Sequence, residues 1–302
     1  MSQAAALRAR ALAAYLTICI IWGTTFLGIA YALRGGLPPF ACAALRFLFG
    51  GLLMYAWLRL RSPRPLAGLP LARVAASGVL LLSAGNGFTV WAQQGVPSGI
   101  TALLIASAPL VVMLANWLGF ERRAPAPWAL VGALVGLSGV ALTLSHMHVI
   151  SGAARPVHLL SLLVAIVSWA VGTLLVRGQV PMERVTAGAC VQMLAGGAVL
   201  VLMGYAAGDW QRLDWRAIAP SGWIALCYLT VFGSIIAMSL YLWLLGHVAP
   251  QKVMTYALVN PLVALLLGAA LLGERLTATV GIAVVLVLAG VSIVLLQGRS
   301  KA

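Results

Sequence analysis

Apolar runs of about twenty residues alternate with short polar breaks along the whole chain. That is the length a helix needs to cross roughly 30 Å of hydrocarbon. The breaks carry turn punctuation, such as Gly35-Gly36-Leu37-Pro38-Pro39, Ser62-Pro63-Arg64-Pro65 and Ala124-Pro125-Ala126-Pro127. They predict ten spans, at 12–32, 39–58, 73–94, 99–119, 128–146, 157–177, 185–206, 218–243, 251–272 and 277–297. The alternation of a membrane β-barrel is absent from the pattern. The expected fold is therefore an all-α integral membrane protein. A tail of residues 1–11 precedes a five-helix unit over 12–150, a second unit over 151–297 and a tail of 298–302. Arg8 and Arg10 before an apolar run, with Ala30-Tyr31-Ala32 behind it, imitate a secretory signal. The run is longer than a signal core and more spans follow, so it reads as the first span.

Composition agrees with the pattern. Of 302 residues 63% are hydrophobic and 8% charged, whereas a soluble domain carries roughly a quarter charged residues to cover its surface. A net charge of +14 would suggest nucleic acid in a soluble protein, but no basic residues interleave with exposed aromatics here. No nucleic-acid partner is expected. Lysine and arginine instead follow the loops: with the N-terminus inside, thirteen fall on the inner side and five on the outer, and Arg46 lies within a span. That asymmetry predicts cytoplasmic termini. Cys19, Cys42, Cys190 and Cys227 sit in apolar runs without C-x-x-C spacing, so they read as small core residues, and no metal or cofactor is expected.

The two halves resemble each other. Trp22-Gly23 is answered by Trp169-Ala170, and the run Arg46 to Gly51 by Gln192 to Gly197. Trp91, Val96, Pro109, Leu110 and Val111 meet Trp243, Val248, Pro261, Leu262 and Val263 at a constant offset of 152. Glu121-Arg122 then answers to Glu274-Arg275. Five spans per half is an odd number, so the second half enters the membrane inverted. Inverted repeats are a secondary-transporter architecture, with the solute site near the midplane between the halves.

The stretches IIWGTTFLGIA (20–30), PPFACAALRFLFGG (38–51), GNGFTVWAQQGVPSGITALLIASAPL (85–110) and FGSIIAMSLYLWLL with TYALVNPLVALLLGAALLGE (232–274) carry a resemblance over essentially the whole chain. It resembles the EamA-type family of the drug/metabolite transporter superfamily, in its ten-helix bacterial branch. The resemblance implies two five-helix repeats around a central cavity in the bacterial inner membrane. It also implies export of small metabolites, commonly amino acids, with the aromatic amino-acid exporters the nearest group. Spans five and ten are associated with dimer contacts in that family, and both monomers and homodimers are expected.

Prolines point to the site. Pro109 and Pro261 occupy matched places in spans four and nine, and each frees the carbonyl four residues back, Ile105 or Ala257. In lipid such a carbonyl needs a partner or a wet cavity; the alternative is a packing kink. Lys252, Tyr256 and Asn260 recur at i, i+4, i+8 on one helix face, and Tyr256 and Asn260 are candidates for the cavity wall. Lys252 fits a snorkelling role at the inner end. Asn86, Thr89 and Gln93 form a polar stripe in span three, which either bonds a neighbouring helix or faces the cavity. Tyr228, Thr230, Ser234 and Tyr241 decorate its counterpart, span eight. Trp22, Trp91 and Trp169 are candidates for aromatic walls, the alternative being interfacial anchors. Arg46, about 10 Å deep at 1.5 Å per residue, is a candidate for attracting a solute carboxylate or holding the outer gate.

All five carboxylates, Glu121, Glu183, Asp209, Asp214 and Glu274, fall at span ends or in loops. Proton-coupled carriers keep one inside the membrane, so facilitated diffusion or exchange is expected rather than obligatory proton antiport. A broad-specificity drug exporter with proton coupling is the alternative within the class. An intramembrane enzyme would need a buried nucleophile or metal set, which the spans lack. Glycines in Gly132-x-x-x-Gly136, with Gly281 and Gly290, predict close helix packing in spans five and ten.

Overall fold

The structure is a computed structural model that describes residues 3–120, 122, 124–146, 155–248, 253 and 256–297. Ten long helical stretches run through the described residues. They are α1 (Gln3–Arg34), α2 (Pro39–Arg61), α3 (Leu71–Ala92), α4 (Ser98–Phe120), α5 (Pro127–Ser145), α6 (Pro156–Val176), α7 (Val185–Ala206), α8 (residues 220–247), α9 (Tyr256–Leu272) and α10 (Ala278–Gln297). Eight of them are long and apolar enough to cross a membrane, and the apolar parts of α9 and α10 are shorter, at Leu258–Leu272 and Ala278–Val294. Strands are absent from the described residues.

Two boundaries depart from the sequence reading. Most of the expected N-terminal tail is helix, since α1 begins at Gln3 and no glycine or proline interrupts it before Gly23. The last segment of α8 ends at His247, a turn beyond the expected 243. Lys252, Glu121, Arg123, His148 and the tail 298–302 lie outside the described residues. Starts are better marked than ends. Pro39, Pro127, Pro156 and Pro220 each open their helix, where a missing N–H costs nothing and the fixed φ is already helical.

The principal helix pairings are α2 with α7, α5 with α10, α4 with α9, α1 with α8 and α9, α6 with α3 and α4, and α3 with α7 beside α2 with α8. Exchanging α1–α5 for α6–α10 leaves that set unchanged. The reciprocity reaches single residues. A Cβ built on Gly51 would stand 2.9 Å from Leu194 Cδ2, and one on Gly197 2.8 Å from Leu48 Cδ2; these are matched positions of the two halves. Gln192 Nε2 donates to Ser77 Oγ at 2.9 Å, and the matched Arg46 Nε donates to Ser234 Oγ at 2.8 Å.

The α5–α10 seam is closer still. A Cβ on Gly132 would lie 2.8 Å from the Gly290 carbonyl oxygen, and one on Gly290 would lie 2.5 Å from Gly136 Cα. The two backbones therefore touch at Gly132, Gly136 and Gly290, as the glycine spacing predicts, whereas Gly281, expected in the same packing, has nothing within 4 Å of an added Cβ. Inside α3 and α8 the winding widens to π-helix over Val79–Gly87 and Leu229–Ile236, a local geometry often found at functional sites. The matched prolines behave differently. The α-helix of α4 is interrupted between Ile105 and Ala108, just before Pro109, whereas Pro261 sits inside continuous helix.

Candidate substrate cavity

One cavity of about 160 Å³ lies in the middle of the bundle. Its walls come from α1–α4 and α6–α9, whereas α5 and α10 contribute no lining residue. Trp22, Phe26 and Ile29 line it from α1, Arg46 and Phe47 from α2, and Asn86 and Thr89 from α3. Across from them stand Trp169 and Thr173 of α6, Met193 of α7, Ser234, Met238 and Tyr241 of α8, and Tyr256 and Asn260 of α9. Pro109 and Ile105 face it at the interruption of α4.

The lining is itself duplicated. Leu82, Asn86 and Thr89 have Ser234, Met238 and Tyr241 at 152 residues further on, and all six line the cavity. Trp22 and Phe26 have Trp169 and Thr173 at 147 residues further on, again all in the wall. The same surface is thus built twice, with polar and aromatic groups exchanged between its two copies.

Arg46 is 5% exposed, so it does not snorkel to the surface. Its Nε donates to Ser234 Oγ at 2.8 Å, and that hydroxyl donates to Leu229 O at 3.1 Å, five residues back in the π segment. The neighbouring Gly233 carbonyl accepts from Trp22 Nε1 at 3.2 Å. The π segment of α8 therefore holds both the cation and the indole. Trp22 also heads an aromatic cluster, with ring centroids 5.2 Å from Tyr241 and 4.7 Å from Tyr256, and those two rings are 6.0 Å apart.

Three buried polar atoms of lining residues have no hydrogen-bond partner among the described residues: Arg46 Nη1, Asn86 Oδ1 and Asn260 Oδ1. One is a cationic donor and two are acceptors. Buried groups of this kind normally find partners. No carboxylate lines the cavity to neutralise the guanidinium.

Other sequence candidates lie elsewhere. Trp91 packs on His158 with ring centroids 5.0 Å apart, and is not in the lining. Gln93 caps the end of α3, and both its amide atoms are buried without partners outside the cavity. Tyr228 shares a 2.5 Å hydrogen bond with Thr24 and stacks on Phe232. Pro261 is buried in α9 but off the wall. Phe26, Phe47, Thr25, Thr173 and Met238 were not singled out by sequence, and Tyr241 and Ser234 only as decoration of span eight. The repeat offset is the signal that reaches the last two.

A membrane-embedded bundle closing eight helices round a mostly apolar central chamber with a few convergent polar groups is the architecture of a solute carrier. Residues 9–145 and 157–296 each match the EamA-like transporter family, and the chain belongs to that family. It is 37% identical over 265 residues to the uncharacterized inner membrane transporter YedA of Escherichia coli K12, covering 87% of this chain and 83% of the relative. It is 25% identical over 309 residues to the uncharacterized transporter YvbV of Bacillus subtilis, covering 100% and 95%. A crystal structure at 23% identity superposes with a TM-score of 0.65 over 97% of this chain and 99% of that one, a likeness of fold. This is a multi-pass inner-membrane transporter.

Proposed function

We propose that the protein exports neutral amino acids, aromatic ones among them, by alternating access of its two five-helix repeats around the central cavity. The observation that carries this reading is the set of unpartnered atoms in one chamber, Arg46 Nη1 with Asn86 Oδ1 and Asn260 Oδ1. A zwitterion supplies what each lacks: its carboxylate accepts from the guanidinium and its ammonium donates to an amide oxygen. The Trp22, Tyr241 and Tyr256 rings offer an apolar wall for the side chain. Asn86, Trp169, Tyr256 and Asn260 belong to this site with Arg46 and Trp22.

Movement down a solute gradient or by exchange fits a wall without a carboxylate. The excess of loop arginines on one side supports cytoplasmic termini, and the protein works as a monomer or homodimer. Counterflow in proteoliposomes tests the reading, using a panel of amino acids with and without a pH gradient. Saturable amino-acid exchange that persists without the pH gradient is expected. Movement of a lipophilic cation with no movement of any amino acid would overturn it.

A further inference from the structure

Two carboxylates of the second half close onto first-half helices at one end of the bundle, opposite the chain termini. Glu274 Oε1 accepts from Ser98 N and Ser98 Oγ, both at 2.6 Å, and its Oε2 accepts from Gly99 N at 3.0 Å. Asp209 Oδ2 accepts from Phe40 N at 2.7 Å and Ala41 N at 3.3 Å. These N–H groups open α4 and α2, and the first turn of a helix has no partner of its own for them. A carboxylate there also meets the positive end of the helix dipole.

The Glu274 clasp is built into the fold. Gly273 takes a left-handed φ of 69° that ends α9, and Glu274 N donates to Gly268 O at 3.1 Å. A Cβ on Gly268 would collide with the Glu274 carboxylate. Beside the clasp, α4 and α9 meet closely, since a Cβ on Gly99 would lie 2.6 Å from Leu265 Cδ2. The cavity wall begins deeper, at Ala102 in α4, and ends at Asn260 in α9, so the clasp stands between the chamber and that face.

The sequence does not repeat this device evenly. At the repeat offset of 152, Ser98 and Gly99 answer to Pro250 and Gln251, while Glu274 answers to Glu121 at 153. Proline has neither an N–H nor a hydroxyl, so at those positions the sequence of the second half carries fewer donors than Ser98 and Gly99 do.

We propose that Glu274 and Ser98 are gating residues of the transport cycle. Their hydrogen bonds hold the chamber shut on the Ser98 face and bias the protein toward the state open on the opposite face. The inference rests on the carrier reading and not on the amino-acid assignment.

Ser98→Pro tests it, because it places at Ser98 the residue found at the matched position. Pro97 is already extended at φ −54° and ψ 149°, as a residue before proline prefers, and the first helical position accepts proline. Both Ser98 donors are lost and the Gly99 N–H remains. The reporter is Ala106→Cys, a lining position 4% exposed, in a background where the exposed Cys227 is serine. A membrane-impermeant maleimide is applied to vesicles of each orientation, with the parent lacking the reporter as control.

Ser98→Pro and Glu274→Ala, which remove two and three hydrogen bonds to a charged group, are expected to raise labelling from the Ser98 face about ten-fold or more, and to lower it from the other face. Glu274→Gln, which keeps an acceptor without the charge, falls between. Unchanged labelling from both faces in variants that insert and elute as the parent does would overturn the gate. If Ser98→Pro fails to insert, Ser98→Ala decides by the same reading, with a smaller expected shift. Labelling that responds while no amino acid is transported upholds the gate and rejects only the solute. An Ala106→Cys protein with Ser98 and Glu274 intact that labels from neither face overturns alternating access to the chamber, and with it the gate.

Discussion

Arg46 on α2 is held to the π segment of α8 by a 2.8 Å hydrogen bond to Ser234 Oγ. At the matched position of the second half an amide, Gln192, stands where the cation is and binds Ser77. The two donors are matched but the two serines are not, since Ser234 answers to Leu82, and the tie with the charged donor is the one that faces the chamber.

Ser234→Ala removes the acceptor that aims the guanidinium. A hydrogen bond to a charged group contributes about 1.5–3 kcal/mol, so KM for a carboxylate-bearing solute should rise roughly ten-fold or more with a smaller change in maximal flux. Ser234→Thr should restore much of it. Arg46→Lys should not rescue Arg46→Ala, because an ammonium cannot present the planar fork that bonds Ser234 and a carboxylate together. Concentration-dependent counterflow checks each variant.

Trp22 joins two roles, an N–H donor to Gly233 O and a ring against Tyr241 and Tyr256. Trp22→Phe keeps a ring and loses the donor, worth about 0.5–1.5 kcal/mol, so a few-fold weaker solute affinity is expected. Trp22→Ala should lose affinity for aromatic solutes further than for small ones. Competition between phenylalanine and alanine separates the two.

Asp209 is 1% exposed and caps α2, with Arg212 at 2.7 Å on its other oxygen. Asp209→Ala should destabilise the bundle by about 1–2 kcal/mol, as lost caps do, and lower the melting temperature in detergent. Arg212 is 65% exposed, and Arg212→Ala should change the melting temperature little.

Gly290→Val inserts a side chain where two backbones touch. Overpacking of this kind costs about 1–3 kcal/mol or more, so the melting temperature should fall. Gly281 lies on the same helix with nothing within 4 Å of an added Cβ. Gly281→Val is the control and should leave melting unchanged.

Helix number and most boundaries were legible because hydrophobic length and proline at helix starts are local signals; α7 spans Val185–Ala206 as its pattern predicts. Arg46, Asn86, Trp169 and Asn260 were legible as polar or aromatic groups deep in apolar runs, and each lines the cavity. Gln93 was extrapolated along the Asn86 stripe at regular helical spacing. The stripe holds as far as Thr89, and Gln93 leaves it because the helix ends at Ala92 and Gln93 is its cap. No propensity marks a π segment. The tie from Trp22 to Gly233 O crosses 211 residues, and a backbone carbonyl leaves no trace in the sequence. Tyr241 was within reach, since it sits at the repeat offset from Thr89.

The seam of Gly132, Gly136 and Gly290 joins a helix of the first half to one of the second while standing clear of the chamber. Backbones that touch at three glycines, with Ile293 packed alongside, have little room to part along that line. The chamber can therefore be remodelled on both faces while one line through the molecule keeps its length. In the proposed cycle that line serves as a fulcrum about which the halves lever, and a bulky residue there is expected to jam the motion even in a protein that still binds its solute.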